Sequence, residues 1–328
     1  MNLFITLFIP FVFALMSWPA VKAIGERFVL IDYPDRRKIH SIPTLKIGGF
    51  IILTGYIAGV LILKAFWFPI SLSLLLVFVT GLLGDKDILG ARHRLILQSA
   101  IALMFILSSG AVVKDLRLFE LPVYLGIPFT IFGIAGLTNA YNIIDGMNGL
   151  CSLLGIIALL TLSILGNIYA ESPVFIQSLI FIGGLTCFLL FNLRGKVFMG
   201  DAGSYMIGFM VASLSVFLAA GVKEISPFAF LLNAFIPVFD TIFSIWRRKR
   251  LGIDPFKADR RHLHHMLSRR YKSRTRALIV LVVIQAVLST FAIVYHRETL
   301  ILIILILFAA LFLRRLWFKR IAIMGVRL

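Results

Sequence analysis

The chain is poor in charge, poorer still in acids, and nearly without cysteine. Only 15 % of its 328 residues are Asp, Glu, Lys or Arg, against about a quarter in an ordinary soluble domain, while 60 % are hydrophobic. So few polar residues cannot wet the surface of a soluble molecule of this length, and the mean hydropathy of +1.00 agrees. Soluble enzymes and disordered tails are excluded. The two cysteines, Cys151 and Cys187, both lie in apolar runs, which excludes a disulfide framework or a cysteine zinc site and leaves packing. No Walker-type phosphate loop is present. Against 15 acids stand 33 Lys and Arg, a formal charge of +18 that suits nucleic acid, anionic lipid or anionic substrates alike until its placement is known.

What is plentiful is unbroken apolar sequence. A helix needs about 20 mostly apolar residues to cross the hydrocarbon core. On that rule eleven segments qualify: 3–22, 47–66, 67–84, 95–113, 124–143, 150–170, 174–193, 204–222, 227–246, 277–295 and 299–317. The expected fold class is an all-α integral membrane protein, one polytopic domain over 1–328. The first segment ends in small residues like a signal peptide but lacks the positive amino end of one, so it reads as a retained helix with an external, periplasmic amino terminus. Eleven spans then place 23–46, 85–94, 144–149, 194–203, 247–276 and the tail from 314 on one side. That side carries 28 of the 33 Lys and Arg, all but Lys64, Lys114, Arg117, Lys223 and Arg297, and is cytoplasmic by the positive-inside rule. Much of the charge is thus topology signal and calls for no nucleic acid.

Ten of the 15 acids share the basic side. Asp85, Asp145, Asp201 and Asp240 stand at span ends or within a span, where an unpaired charge costs roughly 2.5–3.5 kcal/mol at the bilayer centre. Any one of them could merely cap a helix; four on one face point to function. Asn139, Asn142, Asp145 and Asn148 recur every third residue, a polar stripe able to serve a polar ligand or hydrated metal. A helix-packing seam glued by amides is the plainer alternative, opposed by Gly146 and Gly149, which break the helix where the stripe ends. The run from Lys196 to Ser204 joins a cation, Asp201 and two glycines just ahead of a helix, an anion-binding arrangement. Asp201 would repel a bare phosphate there unless magnesium lay between them. Gly84-Asp85-Lys86-Asp87 ends another span and precedes Arg92, Arg94 and Gln98. The loop 247–276 carries Arg247 to Arg250 and then His262, His264 and His265 amid further cations, which suits an anion better than zinc. Arg36, Lys38 and His40 in the first loop suit a lipid phosphate at the interface.

Carboxylates for a metal, cations for phosphates and an apolar body for a lipid together describe phosphotransfer from a soluble phosphorylated donor to a membrane-bound acceptor. A transporter is the rival reading, since Asp145 and Asp240 could belong to an ion path. The polar motifs gather in loops, however, and no inverted repeat is visible.

Five of these motifs, Pro34 to Gly49, Gly84 to Gln98, Asn139 to Leu150, Lys196 to Ser204 and Pro237 to Leu267, resemble the polyprenyl-phosphate N-acetylhexosamine-1-phosphate transferase family over most of the chain. The His-x-His-His run is similar to the WecA and TagO branch of glycosyltransferase family 4 rather than to the MraY branch. The resemblance implies a Mg2+-dependent transfer, with Mn2+ an alternative, of a sugar 1-phosphate from a UDP-N-acetylhexosamine to undecaprenyl phosphate. UMP would be released at the cytoplasmic face of the bacterial inner membrane, initiating a cell-envelope glycopolymer. It further implies Asp85, Asp145 and Asp201 as catalytic residues, and Asp201 and Asn142 as metal ligands. Lys196, Asn139, Asn148, Arg248, His262, His264 and His265 would bind the donor, and Arg36, Lys38 and His40 would lie near the lipid phosphate. A homodimer is compatible with it. Two positions depart from the family pattern: Asn148 stands where Asp is common, and the usual Asp-Asp pair, counted back from Gln98, falls on Gly84 and Asp85. A catalytically lapsed lipid-binding scaffold is the reading that Gly84 motivates. Against it, a phosphate monoester has a second pKa near about 6, so the acceptor is largely dianionic and could attack unaided. Asp87, two residues on, is a candidate for the missing carboxylate's work, and Asp240 is a further secondary site candidate.

Overall fold

The computed structural model describes residues 2–33, 43–250, 252 and 262–318. The chain opens with α1 (Leu3–Met16), α2 (Trp18–Arg27), β1 (Ile31–Asp32), β2 (Thr44–Lys46) and α3 (Gly48–Ile62). Then follow α4 (Phe68–Asp85), α5 (Ala91–Ser109), α6 (Val123–Ile144), α7 (Leu150–Ile168), α8 (Ser172–Leu193) and β3 (Val197–Phe198). The remainder is α9 (Gly200–Gly221), α10 (Pro227–Asn233), α11 (Phe235–Arg250), α12 (Leu263–Tyr271), α13 (Arg274–Val294) and α14 (Thr299–Phe318). Every apolar run read from the sequence contains a helix, and the protein is a helical, multi-pass membrane protein. Among the described residues, six helices are long and apolar enough to cross a membrane, or up to eight if each bent pair is one span.

Two runs expected as straight helices are broken instead. The run 3–22 bends by 47° between α1 and α2, where Pro19 starts the second helix. The run 227–246 bends by 81° between α10 and α11. The second break sits deep in the protein and is made tolerable by Gln285 of α13. Its amide nitrogen donates to the carbonyls of Leu232 (3.2 Å) and Asn233 (2.8 Å), and its oxygen accepts the Ile236 N–H at 3.0 Å. Broken backbone survives at membrane depth only where protein groups satisfy it in this way.

Helix α9 is the hub. Every residue from Ala202 to Ser215 is buried, with α3, α4, α6, α7 and α8 packed around it. Two glycines set the closeness: a Cβ on Gly81 of α4 would run into the Ala202 backbone, and one on Gly208 would stand 2.7 Å from Thr138 Cα of α6. Both cysteines are free and buried in this packing. At one end of the hub a small sheet ties the first loop down, with β2 antiparallel to β1 and parallel to β3; Leu45 faces Ile31 on one side and Val197 on the other. The Gly49 N–H completes the join by donating to Met199 O at 3.1 Å.

Candidate active site

A cavity of about 840 Å³ opens where these elements end. All five stretches read as cytoplasmic loops contribute to its wall: Asp32 and Lys46, Asp85, Asp145 with Asn148, Met199 with Asp201, and Arg274 at the start of α13. The three carboxylates expected to be catalytic therefore share one space.

Asp201 lies in the first turn of α9, delivered by Gly200, whose φ of +72° is a conformation other residues rarely adopt. Asp85 comes from the last turn of α4 and caps that helix start, its two oxygens accepting the N–H groups of Asp201 (2.9 Å) and Ala202 (3.1 Å). The capping role open to Asp201 on sequence grounds thus falls to Asp85, where the positive end of the α9 dipole favours a carboxylate. Asn142, in the last turn of α6, donates its amide nitrogen to Asp201 Oδ1 (2.8 Å) and to Ser204 Oγ (2.9 Å). Neither bond uses the Asn142 carbonyl oxygen. On its other side Asp201 Oδ2 accepts from Arg94 Nη1 of α5.

Asp145 follows α6 directly, in a turn that Gly149 closes at φ +81°. Burial, with the negative charges of Asp201 and Asp85 adding to it, holds its carboxyl well above the usual range. Asn192 of α8 fixes the turn: its oxygen accepts the Gly149 N–H at 2.6 Å while its nitrogen donates to Val197 O at 2.9 Å. Lys46 faces these acids and pairs with Asp32 at 3.1 Å. Burial works to lower the Lys46 pKa, but the Asp32 hydrogen bond and the charges of Asp32, Asp85 and Asp201 outweigh it, and the net shift is upward. A permanently charged ammonium therefore stands beside the carboxylates.

Among the described residues no three His, Cys, Asp or Glu close around one point. A full protein cage for a cation is not built, but magnesium does not ask for one: it keeps waters and takes one or two carboxylates with substrate phosphates. The all-oxygen set of Asp201, Asp145 and the Asn142 carbonyl fits that habit, and mutual repulsion among the acids favours a shared cation.

The histidine run packs beside the cavity. Asp240, fully buried in α11, accepts from His262 Nδ1 at 2.9 Å and from the Leu263 N–H at 2.7 Å. A carboxylate can only accept, so the contact sets a proton on His262 Nδ1 and fixes the orientation of the ring. His264 is buried against Gly146, where a Cβ would overlap its Nε2, and neither ring nitrogen has a partner among the described residues. Burial, reinforced by the adjoining His265 and His262, holds its pKa well below the usual value. The His265 ring lies 4.2 Å from that of His264, and Arg248 is buried in α11.

Other expected residues are placed elsewhere. Asn139 is spent on packing, donating to Gln98 Oε1 and to Ala135 O at 2.8 Å; here the amide seam prevails because the helix continues through it. Lys196 is exposed and outside the cavity wall. Asp87 is exposed in a turn with φ +55° and does not stand in for a carboxylate at 84. Arg36, Lys38 and His40 lie outside the described residues. The structure adds Lys46, Asn192 and Arg274, none of which sequence reasoning singled out, and gives Arg94, noted there only as a neighbour of the Gly84 to Asp87 run, a direct contact with Asp201. The only hint for Lys46 is a lone cation two residues before Gly48-Gly49.

Residues 67–219 match the model of glycosyl transferase family 4. A probable undecaprenyl-phosphate N-acetylglucosaminyl 1-phosphate transferase of Bacillus subtilis (strain 168) is 32 % identical over 311 residues, covering 90 % of this chain and 85 % of the relative. Undecaprenyl-phosphate alpha-N-acetylglucosaminyl 1-phosphate transferases of Yersinia pestis and Escherichia coli (strain K12) are each 28 % identical, over 89 % and 88 % of this chain and 84 % and 80 % of their own lengths. With the matched stretch holding Asp85, Asn142, Asp145 and Asp201, the chain belongs to glycosyl transferase family 4.

Proposed function

We propose that this protein transfers N-acetylglucosamine 1-phosphate from UDP-GlcNAc to undecaprenyl phosphate. The observation that carries the reading is the convergence of Asp85, Asp145, Asp201, Asn142 and Lys46 on one cavity at the end of an apolar helical body. An oxygen of the acceptor phosphate attacks the donor β-phosphorus, the bond from that phosphorus to the bridging oxygen breaks, and UMP leaves with the electron pair. Asp201, Asn142 and Asp145 would hold a divalent cation, Mg2+ with Mn2+ as alternative, and its chemistry there would be to offset the negative charge of the donor phosphates. Lys46 adds a fixed positive charge in the same cavity, and His262, His264, His265 and Arg248 flank the donor. No carboxylate at 84 is needed to activate the acceptor, because its phosphate is already largely dianionic at neutral pH. Eleven spans, an external amino terminus and a cavity facing the cytoplasm of the bacterial inner membrane complete the reading; the product would start an envelope glycopolymer.

The test is UMP release by purified protein given undecaprenyl phosphate, Mg2+ and UDP-GlcNAc. Asp201→Asn should lower kcat at least roughly 100-fold, the scale on which removal of one preorganised electrostatic group acts. A wild-type protein silent toward a panel of UDP-sugars would sink the proposal.

A further inference from the structure

Position 84 is a glycine, and the space where a side chain would stand there is filled from another helix. Arg94, one turn into α5, reaches across to α4 and sets Nη1 on Asp201 Oδ2. A Cβ on Gly84 would stand 2.7 Å from Arg94 Nη1, 2.9 Å from its Cδ and 3.1 Å from Asp201 Oδ2. A side chain at 84 would oblige the guanidinium to shift from this path. Arg94 lies 6.0 Å from the Tyr205 ring, and its buried Nε has no hydrogen-bond partner among the described residues. A guanidinium offers five donors in a rigid plane that matches carboxylate and phosphate alike. An unpartnered buried donor is costly to hold, and a phosphate oxygen beside Asp201 is the acceptor that this fork suits.

We propose that Arg94 is a substrate-binding residue that uses the space left free at Gly84 to pair with Asp201. It neutralises Asp201 before the donor arrives; when donor diphosphate and divalent cation enter, it yields Asp201 to the cation and bonds a phosphate oxygen. The exchange leaves no charge stranded, since the carboxylate trades one cation for another and the guanidinium one anion for another. Gly84 is then a requirement of the site rather than a lesion, and a side chain there contends with Arg94 instead of restoring a base. The inference rests on the transfer reading above, but its test does not depend on turnover.

Full-length protein in lipid nanodiscs would be titrated with Mn2+ alone, followed by paramagnetic resonance, and with UDP-GlcNAc in the presence of Mg2+, followed by calorimetry. Arg94→Gln should bind Mn2+ about tenfold more tightly than wild type, because an adjacent cation weakens a carboxylate's hold on another by about one to three powers of ten. The same variant should bind the sugar nucleotide roughly 10- to 100-fold more weakly. Gly84→Ala, which favours the α4 helix and so keeps the fold, should move both affinities the same way by less. Arg94→Lys should keep Mn2+ affinity near wild type and lose part of the donor affinity, having charge without the fork. Unchanged Mn2+ affinity or unchanged donor affinity in Arg94→Gln overturns the proposal, as does absence of Mn2+ binding in every variant. Shifted affinities in a protein that releases no UMP would keep Arg94 in its role and remove the transfer reading; turnover with unshifted affinities would do the reverse.

Discussion

Asp145 and Lys46 both line the cavity and are under opposite pressures, and each shift has a consequence. Lys46 is held charged by the acids around it, so it cannot act as a proton acceptor near neutrality; its work is electrostatic. Asp145 is held toward its neutral form by burial and by the charges of Asp201 and Asp85. A carboxyl whose pKa is higher folded than unfolded binds its proton more tightly in the folded state. Its contribution to stability is therefore full below the ordinary carboxylate pKa and is lost as pH rises through the raised folded value. Metal-free wild type should lose thermal stability across that window relative to Asp145→Asn, which has no proton to release. Saturating Mg2+ should flatten the difference, since a bound cation favours the charged form. Melting temperature against pH for the two proteins, with and without Mg2+, checks this; parallel curves in metal-free buffer would remove the strained carboxylate from the account.

At the scale of elements, the site depends on groups that hold one segment against another far along the chain. Asn192 is the clearest case, since it ties the turn that carries Asp145 to β3, the strand leading to Asp201. Asn192→Leu keeps the volume but orphans the Gly149 N–H and the Val197 carbonyl, at a cost of roughly 1–3 kcal/mol for each buried group left unmade. A lower melting temperature together with at least a roughly tenfold fall in UMP release is expected, and full activity would mean that the turn holds its shape without the amide. Nothing in the sequence around Asn192 announces this, because its partners stand 43 residues back and five ahead. The same distance hid the break between α10 and α11, whose backbone is satisfied by Gln285 of α13. By contrast the helices themselves, the carboxylates at their ends and the turn after Asn142 were legible, since a membrane demands contiguous apolar runs and glycine marks where a helix stops. Spacing misled at Asn139: three-residue periodicity placed it on the same face as Asn142, but one turn deeper that face meets Gln98 instead of the cavity.

For the whole molecule, the order in which helix ends meet the cavity bears on how many of them cross the membrane. Helix α3 begins beside it, α4 ends there at Asp85, α5 begins there, α6 ends there, α7 begins there, α8 ends there at Asn192 and α9 begins there at Asp201. Such alternation requires each of these seven helices to run back along its predecessor, so even α3, with 15 residues and about 22 Å of length, traverses the body with the others. The far ends gather too: Arg117 donates to Lys223 O at 2.9 Å, and Arg297 and His296 both bond the Tyr169 hydroxyl. Three of the five cations assigned outside by charge counting thus sit at the end opposite the acids. Because both native cysteines are buried, single introduced cysteines should report sidedness cleanly. In intact bacterial cells a membrane-impermeant maleimide should label Arg117→Cys and Lys223→Cys, and should reach Lys196→Cys only after the membrane is opened. Labelling of Lys196→Cys in closed cells, with Lys223→Cys protected, would turn the protein over in the membrane and place its cavity where no cytoplasmic UDP-sugar could reach it.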